Sequence, residues 1–128
     1  MKVMVIEDSD IVRIVFQNLL AQVRGASVIG EFDTAAGAIR ALPHNAPDAI
    51  LLDIQLRSGN GMEVLKVVAA DYPAIKVFVV TNFTDDLYRK RYLEAGAWGF
   101  FDKSRDLAAL RGSLQNLSTA TADEVDDG

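Results

Sequence analysis

The chain has no cysteine and a single histidine, His44, among its 128 residues. Disulfides, thiolate metal sites and cysteine nucleophiles are therefore excluded, and a zinc site built on imidazoles lacks its ligands. Long apolar runs are missing too. No stretch approaches the roughly 20 residues that a spanning helix requires, and the amino terminus does not have the layout of a secretory signal. A soluble protein of the cytoplasm, without membrane contact, is the expectation. Positive charge is scarce: 13 Lys and Arg face 18 Asp and Glu, for a net charge of −5. Affinity for nucleic acid comes mainly from neutralising phosphates, so direct DNA binding is not expected, and any DNA output needs another domain. What remains is a chain of 50% hydrophobic residues, of a length that suits one globular domain and one core.

Short apolar runs alternate with stretches of helical spacing. Lys2 to Ile6 reads as a strand, followed by a helix whose core stripe is Val12, Phe16, Leu19, Leu20 and Val23 and which closes at Gly25. Ser27 to Phe32 is a second strand, and Thr34 caps a helix running through Leu42 to stop before Pro43. Ala49 to Leu52 is continuously apolar, as a central strand covered on both faces must be. Gly59 and Gly61 mark a loop, Met62 to Asp71 a helix, and Ile75 to Val80 a fourth strand. Asp85 and Asp86 start a helix that Gly96 ends, Ala97 to Phe101 is a fifth strand, and Asp106 to Leu117 a fifth helix. The domain thus spans 1–117, and residues 118–128 read as an acidic, disordered tail. Five strands alternating with five helices imply an open, doubly wound α/β sheet with helices on both faces. Ligands in such sheets bind at the carboxyl ends of the strands.

Those ends carry the chemistry. Glu7 and Asp8 follow the first strand, Asp53 the third, Thr81 the fourth and Lys103 the fifth. Three carboxylates brought together repel one another, which calls for raised pKa values or a bound cation. Only hard oxygen ligands are on offer, so magnesium fits best. Phosphoryl transfer onto a carboxylate needs a nucleophile, a cation for the phosphoryl oxygens and further donors. Asp53 supplies the first, Lys103 and Thr81 the last.

With these residues in place, the chain resembles bacterial two-component response regulator receiver domains along residues 2 to about 117, in the manner of the stand-alone, chemotaxis-type regulators. Glu7 and Asp8 look like the family's acidic pair, Asp53 its phosphorylated aspartate, Gly61 its glycine eight residues later, Thr81 its switch hydroxyl and Lys103 its active-site lysine. The resemblance implies a flavodoxin-like strand order 2-1-3-4-5. It implies a magnesium ion held by Glu7, Asp8, Asp53 and the backbone of Gln55, and a switch pair of Thr81 and Phe100. Such a protein is not a conventional enzyme; it catalyses its own phosphorylation and dephosphorylation. The implied partners are a sensor histidine kinase or histidine phosphotransferase and a downstream protein target. The exposed edge of the first helix, Ile11 and Ile14, would meet the kinase, and Trp98 would face a partner. Arg57 and Ser104 depart from the family's prolines. A cis bond before serine costs about 3–4 kcal/mol, so the bond from Lys103 to Ser104 is expected to be trans.

Each residue taken singly has a plainer reading: a helix start for Glu7 and Asp8, an ordinary β residue for Thr81, a solvated side chain for Lys103. His44 belongs to a surface loop. Arg89, Lys90 and Arg91 read as a solvated face, with docking of an acidic partner as the alternative. A flavin-binding protein of similar fold would find Glu7 and Asp8 repelling its phosphate, and a haloacid-dehalogenase-type hydrolase needs an acid where Gln55 stands. The remaining alternative is a receiver fragment of a larger DNA-binding transcriptional regulator.

Overall fold

A computed structural model describes residues 1–126. Strands β1 (Lys2–Ile6), β2 (Ser27–Phe32), β3 (Ala49–Leu52), β4 (Lys76–Thr81) and β5 (Gly99–Asp102) alternate with helices α1 (Asp10–Ala21), α2 (Ala35–Asn45), α3 (Gly61–Asp71), α4 (Asp86–Glu94) and α5 (Leu107–Asp126). The sheet is parallel throughout, in the order β2-β1-β3-β4-β5.

Period-two alternation divides the core in two. Met4, Ile6, Ile50, Leu52, Val77 and Val79 point to one face, under α2, α3 and Tyr92 of α4. Val3, Val5, Ala49, Leu51, Phe78 and Val80 point to the other, under Phe16, Leu19 and Leu20 of α1 and Leu110 and Leu114 of α5. β3 is buried along its whole length, as its uninterrupted apolar run predicts. Side-chain caps start four helices: Ser9, Thr34, Asn60 and Asp85 each accept from a backbone N–H one turn ahead.

Two helix ends differ from the expectation. α2 continues past Leu42 through Pro43 to Asn45, and closes at Ala46 in the left-handed region (φ 42°) with its N–H on Leu42 O. Pro43 removes one helical donor, but buried Leu42 anchors the last turn, so the helix ends a few residues later than proline alone would dictate. α5 runs beyond Leu117 into residues assigned to a tail. Ser118 is buried, its hydroxyl donates to Arg24 O at 2.7 Å, and Thr121 bonds back to Leu117 O. A tertiary contact, not apolar spacing, carries the helix on. Asp127 and Gly128, the end of the expected tail, lie outside the described residues. Among the described residues, no helix is long and apolar enough to cross a membrane.

Candidate phosphoryl-acceptor site

The carboxyl ends of β1, β3, β4 and β5 form one edge, and backbone bonds fix it: Asp53 N–H donates to Ile6 O, Glu7 N–H to Phe32 O and Lys103 N–H to Thr81 O. Glu7, Asp8, Asp53 and Lys103 line one cavity of about 470 Å³ together with Ser9, Val12, Gln55, Asn82 and Phe83. Gly61 is the close neighbour that the site demands. A Cβ there would stand 2.6 Å from Asp53 O, so only glycine lets α3 approach the loop.

Glu7 is 1% exposed and Asp53 is buried as well. Lys103 Nζ lies 2.9 Å from Asp53 Oδ2, a hydrogen bond, and 2.8 Å from Glu7 Oε2. The second contact has the distance of an ion pair without hydrogen-bond alignment, so Glu7 Oε2 is a buried oxygen with lone pairs to spare. Its partner Oε1 accepts from Ser9 N–H, and Asp53 Oδ1 accepts from Ile54 N–H. Burial pushes the Glu7 carboxyl above its ordinary range, aided by the Asp53 charge and opposed by Lys103. Burial alone would lower the Lys103 pKa, but the close Glu7 and Asp53 carboxylates outweigh it and the ammonium is held charged above its usual range.

One carboxylate oxygen each from Glu7, Asp8 and Asp53 lies within 4.8 Å of the others. Three acidic side chains, one of which keeps a buried oxygen without a hydrogen bond, against a single ammonium fit a divalent cation of the magnesium type. Gln55 is exposed and lines the same cavity.

Thr81 ends β4 at the same edge, where its backbone O accepts from Lys103 N–H. It is fully buried, and its Oγ1 accepts from Phe83 N–H at 3.1 Å. Phe100 is 5% exposed, packed on Tyr92 with ring centroids 6.2 Å apart, beneath the Arg89 guanidinium. Ile11 and Ile14 are exposed on α1, as their spacing predicts. Trp98 is 59% exposed with Lys76 Nζ 4.4 Å from its ring centroid; it precedes β5, so it does not share the buried environment of Phe100. The Lys103 to Ser104 bond is trans. His44 is exposed. Sequence reading missed Asn82, which lines the cavity, and Arg13, whose Nη1 donates to Glu7 O and braces the acidic pair. Position next to Thr81 could have signalled Asn82; nothing in the spacing signals Arg13.

The response regulator receiver domain family matches residues 3–115. Response regulator GacA of Pseudomonas syringae pv. syringae (strain B728a) is 32% identical over 109 residues, covering 85% of this chain and 51% of GacA. The DNA-binding transcriptional activator DevR/DosR of Mycobacterium tuberculosis (strain ATCC 25618 / H37Rv) is 29% identical over 129 residues, covering 93% and 59%. The crystal structure of a two-component response regulator of the LuxR family from Aurantimonas sp. SI85-9A1 superposes with a TM-score of 0.84 at 25% identity, covering 93% of this chain and 85% of that one. The chain spans about half the length of the curated relatives it matches. Sheet order, acidic edge and family match agree, and the chain belongs to the response regulator receiver domains of two-component systems.

Proposed function

We propose that Asp53 accepts a phosphoryl group from the phosphohistidine of a sensor histidine kinase or histidine phosphotransferase in the cytoplasm, and that the modification remodels a protein-binding surface. The observation that carries this reading is the buried Asp53 carboxylate held by Lys103 at the floor of an acidic cavity. An Asp53 oxygen attacks phosphorus, the phosphorus–nitrogen bond to the donor imidazole breaks, and its electron pair stays on that nitrogen, leaving an acyl phosphate on the protein. Lys103 is already charged and within reach, so it meets a phosphoryl oxygen without waiting for a proton. Thr81 supplies a hydroxyl whose proton is uncommitted, since its oxygen only accepts from Phe83 N–H. Glu7, Asp8, Asp53 and the Gln55 carbonyl would hold magnesium, which when bound offsets the negative charge of the incoming phosphoryl oxygens.

Treatment with acetyl phosphate and magnesium tests the assignment by intact-protein mass. The wild type gains one phosphoryl group, and Asp53→Asn, nearly isosteric but without a nucleophilic carboxylate, gains none. Wild-type stoichiometry in that variant sinks the assignment.

A second reading is favoured by coverage: this chain accounts for 59% of DevR/DosR, a protein described as a DNA-binding transcriptional activator. The receiver would then control DNA contacts made by another part of a longer regulator, since its own net charge of −5 does not favour phosphate binding. Reading the gene beyond the codon for Gly128 tests it; a DNA-binding domain in frame supports it and a stop codon removes it.

A further inference from the structure

We propose that Asp102 is a positioning residue for Lys103: its carboxylate clasps Ser104 and thereby fixes the turn from which the ammonium reaches Asp53. This rests on the phosphoacceptor reading. A lysine side chain is long and loses much rotamer freedom when it is confined between two carboxylates, so its backbone must be set. On one side Lys103 N–H is held by Thr81 O at 3.1 Å. On the other side the turn is closed by Asp102, whose Oδ1 accepts from Ser104 N at 2.7 Å and Ser104 Oγ at 2.6 Å.

The rest of Asp102 is engaged within the same loop. Oδ2 faces the Arg105 guanidinium at 3.4 Å, Asp102 N–H donates to Asp106 Oδ2 at 2.9 Å, and Asp102 O accepts from Asp106 N–H at 3.0 Å. Its side chain is 12% exposed. Residues 102 and 103 face opposite ways, as neighbours at a strand end do. Lys103 lines the acidic cavity, whereas Asp102 lines a separate polar one of about 390 Å³ beside Arg89 and Phe100. Asp102 therefore has no route to the phosphoryl group except through the turn. The Ser104 hydrogen bonds also hold the Asp102 carboxyl below its ordinary range.

The test uses the full chain, with Asp102→Ala, Asp102→Asn, Lys103→Ala and the double variant Asp102→Ala/Lys103→Ala. Magnesium affinity is read by calorimetry, and beryllofluoride affinity at saturating magnesium by fluorine NMR titration. Misplacing the ammonium in Asp102→Ala weakens beryllofluoride binding at least about tenfold. Asp102→Asn, whose amide oxygen still accepts from Ser104, recovers most of it. Magnesium binding alone is unchanged or tighter, since Lys103 competes for Asp53. In the Lys103→Ala background the Asp102 substitution adds no further loss.

Wild-type beryllofluoride affinity in Asp102→Ala overturns the proposal, as does an equal loss in the Lys103→Ala background or a parallel fall in magnesium affinity. If Asp102→Ala does not fold, Ser104→Ala, which removes only the 2.6 Å bond, must show the same pattern with a smaller loss. A wild type that takes no beryllofluoride rejects the phosphoacceptor reading and this one with it; a wild type that binds while Asp102→Ala stays intact rejects this one alone.

Discussion

At the scale of single residues, the site is a cluster that function requires and folding opposes. Glu7, Asp8 and Asp53 bring three carboxylates to one cavity, and among the described residues only Lys103 contacts two of them with an opposite charge. Two of the three are buried, so solvent does little to relieve them. Neutralising one acid should therefore stabilise the metal-free fold. Glu7→Gln removes a buried charge whose ionisation burial already disfavours, and Lys103 keeps Asp53 as partner. Its metal-free stability is expected to rise by about 1 kcal/mol in denaturant titration, while the stabilisation that magnesium gives the wild type largely disappears. A Glu7→Gln protein that is less stable without metal would show that the Lys103 contact outweighs the buried repulsion. Arg13 qualifies the ledger only at the backbone, through its bond to Glu7 O, and does not reach the carboxylates.

At the scale of elements, α4 is the least anchored helix: among its residues only Tyr92 is buried, set against Phe100. Burial pushes the Tyr92 phenol up to about 12 from 10.0. The folded state thus favours the neutral phenol, so this contribution to stability is complete below pH 10 and is lost as pH rises through about 12. Tyr92→Phe should flatten the alkaline fall in melting temperature over that window; an unchanged slope would assign the fall to other groups. The loop before α4 carries Phe83, 41% exposed, which lines the acidic cavity and also meets Tyr88 of α4 edge-on at 6.2 Å. Phe83 thus both lines the cavity and packs on α4. Phe83→Ala should speed loss of the phosphoryl group several-fold by admitting water, and Phe83→Glu more, by orienting it. Unchanged decay in both would remove Phe83 from the mechanism. The alternation of elements was legible because each buried strand is an apolar run ending in a polar residue, and so were the acids and the lysine, which sit at those ends. Not legible were features set by contacts distant in sequence: the α5 extension fixed by Ser118 on Arg24, the inward Phe100 under Arg89, and the Thr81 hydroxyl turned onto Phe83 N–H.

At the scale of the whole molecule, the acidic edge lies between two different surfaces. On the α1 side, Ile11 and Ile14 expose an apolar edge beside Glu7 and Asp8. Ile14→Glu should slow transfer from a phosphohistidine donor protein but not from acetyl phosphate; equal slowing with both would indicate damage to the site itself. On the other side, the path to α4 runs from Thr81 through Phe83 N–H, and from Lys103 along β5 to Phe100, Tyr92 and Arg89. Phe100 is already buried, so the response expected on phosphorylation leaves its ring in place. The response expected is that Thr81, whose hydroxyl proton is uncommitted, donates to the phosphoryl group, and that the loop and α4 resettle around the ring. Arg89 holds Phe100 from outside, with Nη1 3.3 Å from its backbone O and the guanidinium 5.9 Å from its ring centroid, and Tyr92 packs on the same ring, so α4 meets Phe100 by two ring contacts and one backbone bond. Beryllofluoride with magnesium should accordingly alter amide hydrogen exchange in the Phe83 loop and along α4 while leaving α1 nearly unchanged. Phe100→Leu keeps an apolar side chain but loses the ring that Tyr92 and Arg89 grip. In that variant beryllofluoride should bind near wild-type affinity, the Phe83 loop should still respond, and the change along α4 should largely vanish. A wild-type exchange response in α4 of Phe100→Leu would show that the signal crosses from the loop directly and that Phe100 is only packing.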